Sequence, residues 1–417
     1  MAAERVSTRD PYANPELFRF VDSMEGVPDF LDLAETEAER AGRKGWQARG
    51  HRVLEWVGEL APGLVLAGVL ALAGRLASDG LGRGVLGTES SPVSPILIAI
   101  VGGLLIRNTV GLPRIFEQGL QLCVKRVLRI GVALLGIQLS VSAVGGIGLA
   151  ALPLVVICIA TALVVVRLVS RTLSLSGPLG TLIAVGTAIC GNSAIVATAP
   201  VIGASDAETS YAVGTITVFG LLALLIHPFI AHALFGQDAL LSGLFLGTAI
   251  HDTAQVAGAG LLYDQQFSAP YALETATVTK LLRNTFMIVV IPLMAMIYNR
   301  GGSGRSGLRV DFLSVVPLFA VGFILMAGLR TWGDLGEAPF GGLLDSAQWQ
   351  ALIATVSDVS IICLTVAMAA VGLGTHLARL RMLGLRPLAA GLLAAVAVGG
   401  VSALVLLWFG PVLSALV

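Results

Sequence analysis

Beyond residue 57 the chain is a succession of apolar runs, each close to the roughly 20 residues that cross a hydrocarbon layer as a helix. Eleven cores are predicted, at 58–78, 94–111, 127–142, 148–168, 179–203, 211–235, 240–261, 272–298, 312–330, 350–374 and 388–410. The stretch from Gly131 to Val166 carries no charge and is too long for one helix, and Gly145, Gly146 and Gly148 supply a break. Residues 1–55 are instead a polar, cytosolic-looking leader. Asp29 is placed there to cap a short helix through FLDLAETEAERA, whose acids precede its bases as a helix dipole prefers. The pattern predicts an all-α polytopic membrane protein, with a leader at 1–55 and a transmembrane domain at 56–417.

Charge orients the spans, because cytoplasmic loops gather Lys and Arg. Arg43, Lys44, Arg49 and Arg52 precede the first core, and Arg114, Lys125 and Arg126 separate the second from the third. Arg167 and Arg171 follow the fourth, Arg300, Arg305 and Arg309 the eighth, and Arg379, Arg381 and Arg386 the tenth. The acidic loops at Asp206/Glu208 and Asp334/Glu337/Asp345 then fall on the other side, with the N-terminus inside and the C-terminus outside. Eleven spans divide into one extra helix and two sets of five, over 58–235 and 240–410, and an odd number per set inverts the second copy. GIQLSVSAVGG (136–146) resembles GTHLARLRMLG (374–384), although that division puts them on non-equivalent spans. GTAI at 186–189 and 247–250 reads as a shared packing device.

Composition agrees with the run pattern. The 417 residues are 56% hydrophobic and only 12% charged, about half the charge of a soluble domain. The 50 glycines suit helices that pack closely in lipid. A formal net charge of zero without a basic cluster argues against nucleic acid as a partner. Cys123, Cys158, Cys190 and Cys363 are scattered, so neither a metal site nor a disulfide framework is indicated. No phosphate-binding GxxxxGK[ST] stretch is found, no cofactor is expected, and the polar start has no signal-peptide core.

Two stretches carry the candidate chemistry. Gly186–Pro200, GTAICGNSAIVATAP, gathers Gly191, Asn192 and Ser193 in a segment that weakens helices. A discontinuous helix here would offer backbone N–H groups to an anion, whereas the plainer reading is a small-residue packing face. In the second stretch His251 and Asp252 interrupt GTAIHDTAQVAGAG, with Lys280, Arg283 and Asn284 following in KLLRN. Ionisable groups inside apolar spans are expensive and mark solute or proton paths by default. Helical spacing places Thr248, Asp252 and Gln255 on one face and Thr277, Lys280, Arg283 and Asn284 on another. His251 and Asp252 form a candidate proton relay, and Lys280 and Arg283 candidate countercharges for an anion. The competing readings are a structural polar pair for the first two and neutralisation of Asp252, or snorkelling, for the second two. Asp358 is a second buried-acid candidate.

Through GTAICGNSAIVATAP, GTAIHDTAQVAGAG and KLLRN the chain from about residue 60 onward resembles the YeiH-like family of bacterial membrane proteins, described as sulfate exporters. The resemblance covers Gly186, Cys190, Gly191, Asn192 and Ser193, then His251, Asp252 and Gln255, then Lys280 and Arg283. It implies kinship with bile-acid/sodium symporter-like proteins, built of inverted five-helix repeats with crossed, broken helices. It also implies an inner-membrane secondary transporter of a small anion, such as sulfate, a sulfonate or a carboxylate, working by alternating access. Folds of that kind are frequently homodimers. A cation/proton antiporter using Asp252, a channel or non-transporting sensor, and an intramembrane enzyme are the alternatives. The last lacks HExxH and any Ser/His/Asp spacing.

Overall fold

A computed structural model describes residues 46–81, 93–269, 271–299, 318–335, 339–380 and 384–415. Most of the leader, with Asp29, and Arg300, Arg305, Arg309, Glu337 and Arg381 lie outside the described residues. No strand occurs among those described. The helices are α1 (Trp46–Asp79), α2 (Pro95–Thr109), α3 (Glu117–Leu122), α4 (Leu128–Leu135), α5 (Val141–Thr172), α6 (Gly177–Ala188), α7 (Asn192–Ile202) and α8 (Asp206–Phe235). They continue as α9 (Ala239–Ala249), α10 (Thr253–Phe267), α11 (Ala272–Thr285), α12 (Met287–Asn299), α13 (Leu318–Gly333), α14 (Ser346–Gly374), α15 (Leu377–Leu380) and α16 (Leu385–Ser414). Polar residues set many of the starts. Ser94, Ser140, Ser176, Asp238 and Asp252 each accept a backbone N–H from the first turn, and Ser205/Glu208 and Asp345/Gln348 close capping boxes.

Six helical segments are long and apolar enough to cross a membrane, including α11–α12 taken as one, and shorter apolar helices accompany them. The chain is a multi-pass membrane protein. The helices sort into two bundles. In the first, α14 packs against α1, α2 and α4, α1 also against α3, and α13 against α4. Glycines bring these backbones together: a Cβ on Gly63 would lie 2.7 Å from the Gly119 Cα, and one on Gly103 2.9 Å from the Gly372 carbonyl carbon. The second bundle, α5 to α12 with α16, holds most of the apolar core. The two touch mainly where α10 meets α2 and α14.

The main departure from the sequence expectation concerns cores 179–203 and 240–261. Neither is a crossing helix; each is a helical hairpin whose ends return to the same end of the molecule. Ser176, before α6, donates to Glu208 Oε1, after α7, at 2.5 Å, and α7 runs back along α12. Ser242 on α9 bonds the Tyr263 hydroxyl on α10 at 2.9 Å, and that hydroxyl donates to the Gly236 carbonyl at 2.5 Å. The lengths explain it. With 12 and 11 residues, α6 and α7 rise about 18 and 16 Å, half of a roughly 30 Å hydrocarbon layer. Broken helices do occur, therefore, but each reverses at its break instead of crossing straight through. The acidic pair Asp206/Glu208 consequently shares an end with Arg167 and Tyr298, not the opposite one. The second hairpin enters from the other end, where Gln266 Oε1 accepts the Ser94 amide at 2.9 Å.

Candidate functional site

The two hairpin tips meet inside the second bundle. The first turns at Ile189–Gly191, where Gly191 holds φ +69° and ψ −123°, a conformation costly to any residue with a Cβ. The second turns at Ile250–Asp252, both extended, with Asp252 as N-cap of α10. A Cβ on Gly191 would stand 3.0 Å from Asp252 Oδ2, so only glycine lets the tips approach this closely. Four helix ends converge: the C-termini of α6 and α9 and the N-termini of α7 and α10. Each C-terminus brings carbonyls without helical partners and partial negative charge, and each N-terminus brings free N–H groups and partial positive charge.

Side chains of matching sign answer both. Lys280, on α11, donates to the Ile189 carbonyl at 2.8 Å, to Ile250 at 3.1 Å, and to His251. One ammonium has three hydrogens, so it is fully engaged. Arg283, one turn on, donates Nε to the Ala188 carbonyl at 2.6 Å and NH1 to Thr248 at 2.7 Å and Ile250 at 3.2 Å; NH2 bonds Thr187. Both are wholly buried. The opposite ends share one carboxylate: Asp252 Oδ1 accepts the Ala254 amide at 2.8 Å, and the Asn192 amide serves the same group. Asp252 thus lies across two helix N-termini, in electrostatic contact with Lys280.

The remaining sequence-predicted residues fall around this centre. Asn192 Nδ2 reaches Thr217 Oγ1 on α8 at 3.3 Å, and Gln255 Nε2 reaches the Thr217 carbonyl at 3.4 Å. Asn284 Nδ2 meets Thr253 Oγ1 at 3.2 Å, tying α11 to the second tip. Ser193 is exposed at the head of α7. His251 is buried with no side-chain partner for its ring nitrogens, so it does not form a hydrogen-bonded pair with its neighbour's carboxylate. Asp358 lies on the exposed face of α14, away from the tips, and is not a buried acid. Sequence reasoning missed Thr217, whose only signal is a hydroxyl in an apolar helix, and the carbonyls at 187–189 and 248–251, which no side-chain pattern announces.

A family model described as conserved hypothetical protein 698 matches residues 62–391. The UPF0324 membrane protein of Agrobacterium fabrum is 33% identical over 352 residues, covering 84% of this chain and 93% of that protein. Its counterpart in Pseudomonas aeruginosa is 32% identical over 362 residues, covering 84% and 95%, and that of Fusobacterium nucleatum 32% over 304, covering 72% and 85%.

Proposed function

The chain belongs to the UPF0324 family of membrane proteins, the conserved hypothetical protein 698 family, and on that footing we propose that it is a secondary transporter of a small anion. Sulfate, a sulfonate or a carboxylate is the solute class, and alternating access in the inner membrane the mechanism. The observation carrying this reading is that a carboxylate of the protein itself, Asp252, occupies two helix N-termini at the meeting point of two opposed hairpins. Helix N-termini attract oxyanions, and interrupted backbone at membrane depth is tolerated where it serves a site. An anionic solute would take the amides of Asn192 and Ala254 when Asp252 gives them up. Protonation of Asp252 discharges that carboxylate, so proton and anion enter together, with Ser193, Gln255 and Asn284 as neighbouring polar groups. His251, one residue away, is the candidate relay for that proton. Lys280 and Arg283 act in this scheme by holding the tips and balancing charge.

The topology supports alternating access. The order α2, α3–α4, α5, first hairpin, α8 is matched with reversed direction by α13, α14, α16, second hairpin, α11–α12. In this reading the second unit, over 240–410, is an inverted copy with its order circularly permuted, its hairpin and α11–α12 coming first in the chain. In this register GIQLSVSAVGG and GTHLARLRMLG end corresponding helices. The basic end, with Arg107, Arg167 and Arg171, faces the cytoplasm by the positive-inside rule, putting the N-terminus inside and the C-terminus outside.

The test is labelled-sulfate counterflow in proteoliposomes, with sulfonates and carboxylates as competitors and with or without a pH gradient. Wild type is expected to exchange anion saturably and to accumulate it when the gradient is imposed. Asp252→Asn keeps an N-cap residue and mimics the discharged state, so exchange should persist while gradient-driven accumulation disappears. Absence of saturable exchange for all three anion classes would sink the reading. Proton-linked cation movement in its place, lost in the Asn variant, would favour an antiporter.

A further inference from the structure

With the donors of Lys280 fully engaged and those of Arg283 committed to carbonyls, a solute anion needs a countercharge from elsewhere. A small open cleft lies between the bundles. It is walled by α3 and α14 on one side and by α8 and α10 on the other, through Gln121, Lys125, Thr217, Gln255 and Thr375 among others. Lys125 is its only charged lining residue. Its ammonium touches Gln121 Oε1 at 3.4 Å, and among the described residues no carboxylate stands in ion-pair range of it. Gln255, 2% exposed, spends one Nε2 hydrogen on the Thr217 carbonyl at 3.4 Å and keeps the second for an anionic acceptor, while its Oε1, an acceptor, is open to a donor such as water. The helix beneath Lys125 is wound as a π turn over Cys123–Val127, a departure that concentrates at functional sites. One turn on, Arg129 lies within electrostatic reach of Asp252, so positive charge continues from the cleft toward the tips.

We infer that this cleft is the solute's binding site, with Lys125 as the countercharge for a small oxyanion and the remaining Nε2 hydrogen of Gln255 as its donor on the hairpin side. The inference rests on the anion-carrier reading and adds to it a residue from the first bundle. A solute held this way bridges the two bundles and reaches Thr217, which is bonded to Asn192 at the first tip. Lys125 is thereby a specificity residue for charge, whereas Lys280 and Arg283 are positioning residues.

The experiment is counterflow of labelled sulfate and of a labelled sulfonate by wild type, Lys125→Gln and Lys125→Arg, with thermal unfolding of each. Loss of one charged hydrogen bond should raise the half-saturation of Lys125→Gln about tenfold or more. Its melting temperature should be unchanged, and Lys125→Arg should keep most of the affinity. Equal half-saturation in Lys125→Gln and wild type overturns this site while leaving the carrier reading intact. No saturable exchange by wild type with either anion or with a labelled carboxylate overturns both. A Lys125→Gln variant that loses affinity only in step with its melting temperature assigns Lys125 to folding and also overturns the site.

Discussion

Lys280→Met is expected to destabilise the protein by about 3–5 kcal/mol, because it leaves a buried carboxylate uncompensated and strips the Lys280 donor from the Ile189 and His251 carbonyls, Ile250 keeping Arg283. For a chain of 417 residues each kcal/mol moves the melting temperature by about 1 °C, so a drop of about 3–6 °C should be seen in detergent. Lys280→Arg should not rescue it. The three carbonyls converge on one compact ammonium, and a planar guanidinium spreads its donors over a wider fork. Arg283→Met should act in the same direction through the α6 and α9 carbonyls. Scanning fluorimetry across the variants is the measurement. A Lys280→Met protein that melts within about 1 °C of wild type, about 1 kcal/mol by the same scaling, yet no longer binds anion, would return Lys280 to the role of solute ligand.

Gly191→Ala is expected to abolish transport while leaving most of the fold. Its φ of +69° with ψ −123° costs a side-chain-bearing residue about 1–3 kcal/mol. The new methyl would stand 3.0 Å from Asp252 Oδ2 and 3.3 Å from its Cβ, displacing the carboxylate from the α7 amide. A shift of a reacting geometry by about 1 Å can cost on the order of a hundredfold in rate, which sets the expected loss in initial counterflow. Gly148→Ala is the control, since a Cβ there meets nothing within 4 Å. If both alanine variants transport alike, close approach of the tips is not needed for function.

Most of the apolar segments were legible in the sequence, because run length and hydropathy report helices directly. So were the polar residues at the tips, which stand out against their surroundings. The direction of the chain through 179–203 and 240–261 was not. Hydropathy counts apolar residues, and a 25-residue run costs the same in lipid whether it crosses once or turns back halfway. Signals of reversal were present locally: Ser176 before Gly177-Pro178, and the Ser205/Glu208 box after Gly203, are start and stop devices at both ends of one core. The charge pattern could not reveal the error, since two acids at the basic end are no more costly than two at the other. Lys280 and Arg283 were legible as buried cations but not as partners of carbonyls, because backbone acceptors have the same identity at every position.

The sequence separation of the tip contacts bears on how the protein is made. The carbonyls of Ile189, Ala188 and Thr187 receive their donors from residues 91, 95 and 96 positions later. A nascent chain therefore presents segment 177–203 to the membrane well before the cations that satisfy its tip have left the ribosome. That segment must wait at the surface, or in the insertion machinery, until α11 arrives. A ribosome-arrested chain ending near residue 265 should accordingly leave the first hairpin open to protease, and one long enough for α11 to have cleared the ribosome should protect it.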